Sequence, residues 1–253
     1  MGRRLGQHFL HKDSVLHRIA EVACPDPEPL VIEIGAGTGA LTRHLLARAA
    51  RVVAIEADPI LIGRLSEKFA RTANLERVHG DVLETDLSQW GPAVFAGNLP
   101  YYITSPILRK VLDLGPLLRR AVFLVQREVA LRLVAIPGTR DYGFLTVLAR
   151  LSSEPEYLFT VPAAAFRPPP KIDSAVVRFG PLAVAEQWGI DDPSSFLEFA
   201  GQCFRQKRKT IRNNLAGLFG KTLLDGTPEA SQRAEQLSVG ELAALYRRLR
   251  AQG

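Results

Sequence analysis

The 253-residue chain is 47% hydrophobic and 23% charged, a balance that suits one α/β domain plus a small appendage and excludes a chain too polar to build a core. A net charge of +6 and a pI near 9.6 permit a polyanionic partner, while the absence of any run of about 18 apolar residues excludes a transmembrane helix and makes a cytoplasmic protein the expectation. The two cysteines, Cys24 and Cys203, lie far apart in apolar, helix-like settings and read as structural thiols, not as a disulfide or metal site.

In chain order, Val15, Leu16, Ile19, Val22 and Ala23 recur at helical spacing from Ser14 to Cys24, and Pro25-Asp26-Pro27-Glu28-Pro29 ends that helix. Apolar runs at Leu30–Ile34, Arg51–Ile55, Val94–Ala96 and Ala121–Val125 suit buried parallel strands. Between them, Leu41–Ala49, Pro59–Ala70 and Ser105–Leu114 carry helical patterns, so the alternation predicts a doubly wound sheet. Tyr157–Val161 and Ala175–Phe179 predict an antiparallel pair at the end of that sheet. After Gly180-Pro181 only helices are predicted, over Phe196–Phe204, Ile211–Phe219 and Val239–Arg250. The predicted division is a sheet domain over 1–180 and a helical subdomain over 181–253.

Glu33-Ile34-Gly35-Ala36-Gly37-Thr38-Gly39 follows the first strong strand, where glycines turn tightly and admit a ligand close to the backbone. Glu56 ends the next strand, where an acid accepts from ribose hydroxyls, and Asp81 follows a third strand candidate, placed to accept from an adenine amine. This much also fits a nicotinamide-dependent oxidoreductase. A carboxylate at Glu33 suits the ammonium of an amino-acid-bearing cofactor better than a pyrophosphate.

Asn98-Leu99-Pro100-Tyr101, directly after Val94-Phe95-Ala96, is the most informative stretch. An adenine amine is a poor nucleophile because its lone pair is delocalised into the ring. Two fixed acceptors, the Asn98 side chain and the Leu99 or a neighbouring carbonyl, favour a pyramidal nitrogen, and Tyr101 is placed to stack on the base. Pro100 stiffens the turn and is expected to keep nearby carbonyls out of a helix start. An ordinary capped turn is the competing reading.

Together with Gly6-Gln7-His8-Phe9-Leu10 and Phe166-Arg167-Pro168-Pro169-Pro170-Lys171-Ile172-Asp173-Ser174, these segments occur in the order found in the ribosomal RNA adenine dimethyltransferases. The chain resembles the bacterial small-subunit (KsgA) type of that family over essentially its whole length. The resemblance implies a Rossmann-like methyltransferase sheet. It implies S-adenosylmethionine held by His8, Leu10, Gly35, Glu56, Asp81 and Asn98, and an extruded adenine sandwiched by Tyr101 and Phe166. His8 stands where many relatives carry Asn. The implied reaction is dimethylation of two adjacent adenosines in the 3′-terminal hairpin of 16S rRNA, by a monomer acting on the small ribosomal subunit or its assembly precursor. A large-subunit RNA methyltransferase and a non-enzymatic nucleic-acid-binding relative are the alternatives. Direct transfer calls for neither a covalent intermediate nor a metal, and His8, His11 and His17 have no recognisable metal-ligand spacing.

From Arg205 to Lys221 the chain has Arg205, Lys207, Arg208, Lys209, Arg212 and Lys221 with no acid among them. Arg205, Arg208, Lys209 and Arg212 are expected to share a helical face, with Ile211, Leu215, Leu218 and Phe219 as its docking stripe. Joined to Arg3, Arg4, Lys12 and Arg18, this predicts an RNA-binding surface.

Overall fold

The computed structural model of the protein describes residues 8–180 and 188–251. Its strands are β1 (Phe9–Leu10), β2 (Glu28–Ile34), β3 (Ala49–Glu56), β4 (Leu75–His79), β5 (Ala93–Asn98), β6 (Leu118–Gln126), β7 (Pro155–Val161), β8 (Phe166–Arg167) and β9 (Ser174–Phe179). The α-helices are α1 (Asp13–Ala23), α2 (Thr42–Leu45), α3 (Pro59–Lys68), α4 (Thr104–Leu112), α5 (Arg127–Val134), α6 (Phe144–Ser152), α7 (Pro193–Cys203), α8 (Ile211–Phe219), α9 (Lys221–Asp225) and α10 (Val239–Arg250).

Seven strands form one sheet in the order β4-β3-β2-β5-β6-β9-β7. The first five are parallel, and β9 runs antiparallel to both β6 and β7, so the expected late pair closes one end of the sheet. The apolar runs are continuous because both faces are covered. Val31, Val52, Val94 and Val122 pack with Leu16, Ile19 and Ala20 of α1, while the alternate residues Ile32, Val53, Phe95 and Phe123 are buried on the other face. Each such side chain contributes roughly 1.5–3 kcal/mol of burial. The β4 edge is polar, carrying Glu76, Arg77 and His79, and Glu76 pairs with Arg51 of β3, which discourages edge pairing with other chains.

One expected helix keeps its place and another shrinks to a turn. Asp58 caps α3 by accepting from the Ile60 and Leu61 amides, and this helix falls close to expectation. The predicted helix Leu41–Ala49, by contrast, is the single turn of α2. The Arg48 carbonyl accepts from the Glu28 amide at 2.9 Å, and the Asn74 side chain donates to the Leu46 and Ala49 carbonyls at 3.4 and 3.2 Å. Those bonds draw Ala49 and Ala50 into β3 and start β2 at Glu28, inside the proline-rich stretch.

The chain divides into two compact units, Met1–Ala130 with Pro155–Pro181, and Leu131–Glu154 with Leu182–Gly253. The expected cut after residue 180 thus misses the segment 131–154. Its helix α6 buries Val147, Leu148 and Leu151 within the helical unit, alongside α7 and α10. That unit is filled by Phe196, Phe199, Leu215, Leu242 and Leu245, with the Phe196 and Tyr246 rings edge to face at 5.5 Å. Both cysteines are free and buried, and burial pushes the Cys24 thiol up to about 11 and the Cys203 thiol to about 12, so both are unreactive.

Candidate active site

In a doubly wound sheet the carboxyl ends of the strands project the loops that bind ligands. Here those loops line a cavity of about 360 Å³, bounded by His8, Phe9 and Leu10, by Glu33 to Thr38, by Glu56 to Asp58, by Asp81, and by Asn98 to Ile103. Every residue expected to hold cofactor or target reaches it except Phe166.

Gly35, Gly37 and Gly39 have φ of 72°, 56° and 73°, a left-handed path that keeps the loop backbone open to the cavity. The Gly37 amide donates to Glu56 Oε2 at 2.8 Å and the Asp58 amide to Glu56 Oε1 at 2.9 Å. These two donors hold the carboxylate rigid at the end of β3 while each oxygen keeps acceptor capacity. Asp81 is held similarly, Oδ1 accepting from the Leu83 amide at 2.9 Å. Glu33 is only 1% exposed and accepts from Thr42 Oγ1 at 2.5 Å. Burial pushes its carboxyl up to about 8; the Thr42 bond opposes that shift and the charge of Glu56 adds to it. Glu33 is therefore mainly protonated at neutral pH, and a cation brought beside it would draw out the ionised form.

At Gly97 an added Cβ would lie 2.3 Å from the Ile34 carbonyl, so β5 approaches β2 more closely than any side chain allows, and the Asn98 turn meets the glycine loop. Asn98 Nδ2 donates to the His8 carbonyl at 3.1 Å, which fixes the amide and leaves its oxygen as an acceptor. His8 Nδ1 donates to the Pro168 carbonyl at 2.8 Å, and the His8 ring stacks against Tyr101 with centroids 6.0 Å apart. The Tyr101 hydroxyl is 2.8 Å from Ser174 Oγ. One expectation about the turn is wrong: the Pro100 carbonyl accepts from the Ile103 amide at 3.2 Å and from Thr104 Oγ1 at 3.0 Å, because α4 begins directly behind it.

Phe166 is the second correction. It is 1% exposed and belongs to the core that includes Leu10, Leu16 and Val176. The cause is a short antiparallel ladder, Phe9 opposite Arg167 and Leu10 opposite Phe166, whose two-residue strands gave no pattern to detect. Conversely, Tyr102 was missed. It is 63% exposed, lines the cavity, and has its hydroxyl pushed up by burial and by Asp81 and Glu56. Its place beside Tyr101 was the available signal.

The basic stretch is not a helical face. Arg205, Lys207, Arg208 and Lys209 are exposed in the turn between α7 and α8, and of the five only Arg212 lies in α8. Asn214 shapes this turn, donating to the Cys203 and Gln206 carbonyls at 2.8 and 3.2 Å and accepting from the Gln206 amide at 3.1 Å. Arg212 is paired with Asp225, and Lys207 donates to the Arg140 carbonyl. Ile211 and Leu215 dock as expected, but Leu218 is 61% exposed. Lys12 and Arg18 are exposed, and Arg3 and Arg4 lie outside the described residues. Among the described residues no group of three or more His, Cys, Asp or Glu could hold a metal ion, and no helix is long and apolar enough to cross a membrane.

The sheet order, the glycine loop, the acids at β3 and β4 and the Asn98 turn define a Rossmann-like methyltransferase. The family model for ribosomal RNA adenine dimethylase matches residues 2–250. Curated relatives include the ribosomal RNA small subunit methyltransferase A of Acidobacterium capsulatum, 42% identical over 97% of this chain and 90% of the relative, and that of Geobacter metallireducens, 38% identical over 99% and 96%. Among solved structures, a dimethyladenosine transferase from Plasmodium falciparum superposes with a TM-score of 0.80 at 25% identity over 97% of both chains. The 23S rRNA methyltransferase ErmE superposes at 0.70, with 30% identity over 96% of this chain and 99% of that one. The chain belongs to the ribosomal RNA adenine dimethylase family. It is an S-adenosylmethionine-dependent methyltransferase, and the cleft fits that cofactor: an open glycine backbone, a buried acid able to meet an ammonium, and a rigid carboxylate at the end of β3.

Proposed function

We propose that the protein dimethylates the N6 amines of two adjacent adenosines in the 3′-terminal hairpin of 16S rRNA, on the small ribosomal subunit or its assembly precursor. The observation that carries the reading is Asn98, anchored through its amide nitrogen to His8 at the mouth of the cleft. When bound, S-adenosylmethionine supplies an electrophilic methyl group. Glu56 accepts from the ribose hydroxyls, Asp81 from the cofactor's adenine amine, and Glu33 pairs with the ammonium, while Gly35, His8 and Leu10 close the pocket. Asn98 and the Leu99 carbonyl accept the two hydrogens of the target amine and hold the nitrogen pyramidal. Tyr101 holds the base, and Pro100 keeps the two acceptors in register. The exposed Arg205, Arg208 and Lys209, with Lys207 and Arg212 beside them, supply phosphate contacts.

The small-subunit address rests on the curated relatives, and the likeness to ErmE defines the competing one. Incubation of labelled S-adenosylmethionine with undermethylated ribosomal subunits, followed by nucleotide mapping of both rRNAs, tests it. Dimethyladenosine at two adjacent positions of the 16S hairpin is expected; label confined to 23S rRNA, or none, overturns the reading.

A further inference from the structure

The segment Phe166–Ser174 does not line the cleft but holds two residues that do, His8 and Tyr101. Its last residue, Ser174, is fully buried and opens β9, where its backbone is paired on both sides, opposite Gln126 of β6 and opposite Val161 of β7. Its neighbour Asp173 is pinned as well, its carbonyl accepting from the Arg127 amide and its carboxylate from the Ala163 amide, both at 3.0 Å. The Ser174 backbone is therefore fixed, and the 2.8 Å contact between its Oγ and the Tyr101 hydroxyl ties that end of the ring to it. The opposite end of the segment works in parallel, since the Pro168 carbonyl holds the His8 imidazole that stacks against Tyr101.

We infer that Ser174 is a positioning residue for methyl transfer, fixing where the hydroxyl end of the Tyr101 ring sits, while the His8 stack bears on its face. The inference rests on Tyr101 being the base-holding ring. A tyrosine ring on a turn swings about its first side-chain bond and spins about its second; the hydroxyl tied to a strand in the sheet interior stops the swing, and the His8 ring limits the spin, before the base arrives, so placement need not be fixed at the expense of substrate binding. The geometry this requires is only one hydrogen bond, so the expected effect is moderate and specific to the base step.

The test is a double-mutant cycle on the full chain with undermethylated small subunits, combined with S-adenosylmethionine titration and thermal melting. Ser174→Ala and Tyr101→Phe should each lower kcat/KM by about 3- to 10-fold, the size of one neutral hydrogen bond, and the double variant should fall no further than either. Cofactor affinity should stay at the parent value in all three, and Ser174→Thr should recover part of the activity. Parent-like kinetics in Ser174→Ala, or losses that multiply in the double variant, overturn the inference. A loss matched by a lowered melting temperature and weaker cofactor binding also overturns it, since that is the signature of a packing role. Tyr101→Ala separates the two levels: if its activity equals the parent's, it is the base-holding reading that fails.

Discussion

The cleft and the basic turn contrast in what holds their polar groups. Glu56, Asn98 and Ser174 stand at strand ends or starts, so the ladder fixes each backbone and a second hydrogen bond fixes each side chain. Arg205, Arg208 and Lys209 hang exposed from a turn whose shape depends on the side chain of Asn214. The first arrangement suits chemistry, where an ångström of misplacement is costly; the second suits phosphate binding, where charge counts more than orientation.

Substitutions in the rigid region should show the largest effects. Asn98→Ala removes an acceptor used chiefly at the transition state, and by analogy with loss of an oxyanion-hole donor it should cost roughly 2.7–4 kcal/mol in kcat/KM. Single-turnover kinetics on a variant with parent-like melting check this, and near-parent turnover would reduce Asn98 to a turn residue. Glu33→Gln should sharpen the contrast through stability. The folded carboxyl titrates near 8 against an ordinary 4.5, so the folded state binds the extra proton and the parent loses stability as pH rises from about 4.5 to about 8. The variant escapes that loss and should be more stable than the parent at pH 8, by at least about 1 kcal/mol, and nearly equal to it at pH 4.5. It should also bind S-adenosylmethionine more weakly. Parallel pH profiles of unfolding in the two proteins would show that Glu33 is not protonated in the fold.

Much of the sheet unit was legible in the sequence because strand ends are marked by apolar runs that stop at Gly, Glu or Asn, and such ends converge in a doubly wound sheet. That logic brings Gly35, Glu56, Asp81 and Asn98 to one cavity. It did not show which way a side chain turns when its partner strand has only two residues, and so Phe166 was assigned to the cleft instead of the core. The helical unit was legible as helices but not in its extent. No helix is predicted between Val125 and Tyr157 where α5 and α6 form, and only tertiary packing assigns 131–154 to that unit. The basic stretch failed for a local reason: periodicity places residues on a helix face only if the helix is continuous, and Asn214 satisfies the Cys203 and Gln206 carbonyls in a turn instead.

The division of labour between cleft and basic turn is tested most directly by a crossed titration of two variants, Glu56→Ala and the combined Arg205→Gln, Arg208→Gln, Lys209→Gln, against S-adenosylmethionine and against undermethylated small subunits over a range of salt. Glu56→Ala should weaken cofactor binding and leave the salt dependence of subunit binding at the parent slope. The triple variant should bind cofactor normally, while its log-affinity against log-salt slope becomes shallower by about 2 to 3, from roughly 0.7–0.9 per phosphate contact. Adding Arg212→Gln should change that slope by less than any one of the three, because its pairing with Asp225 already offsets part of its charge. An unchanged slope in the folded triple variant, or equal losses of both ligands in Glu56→Ala, would contradict the account.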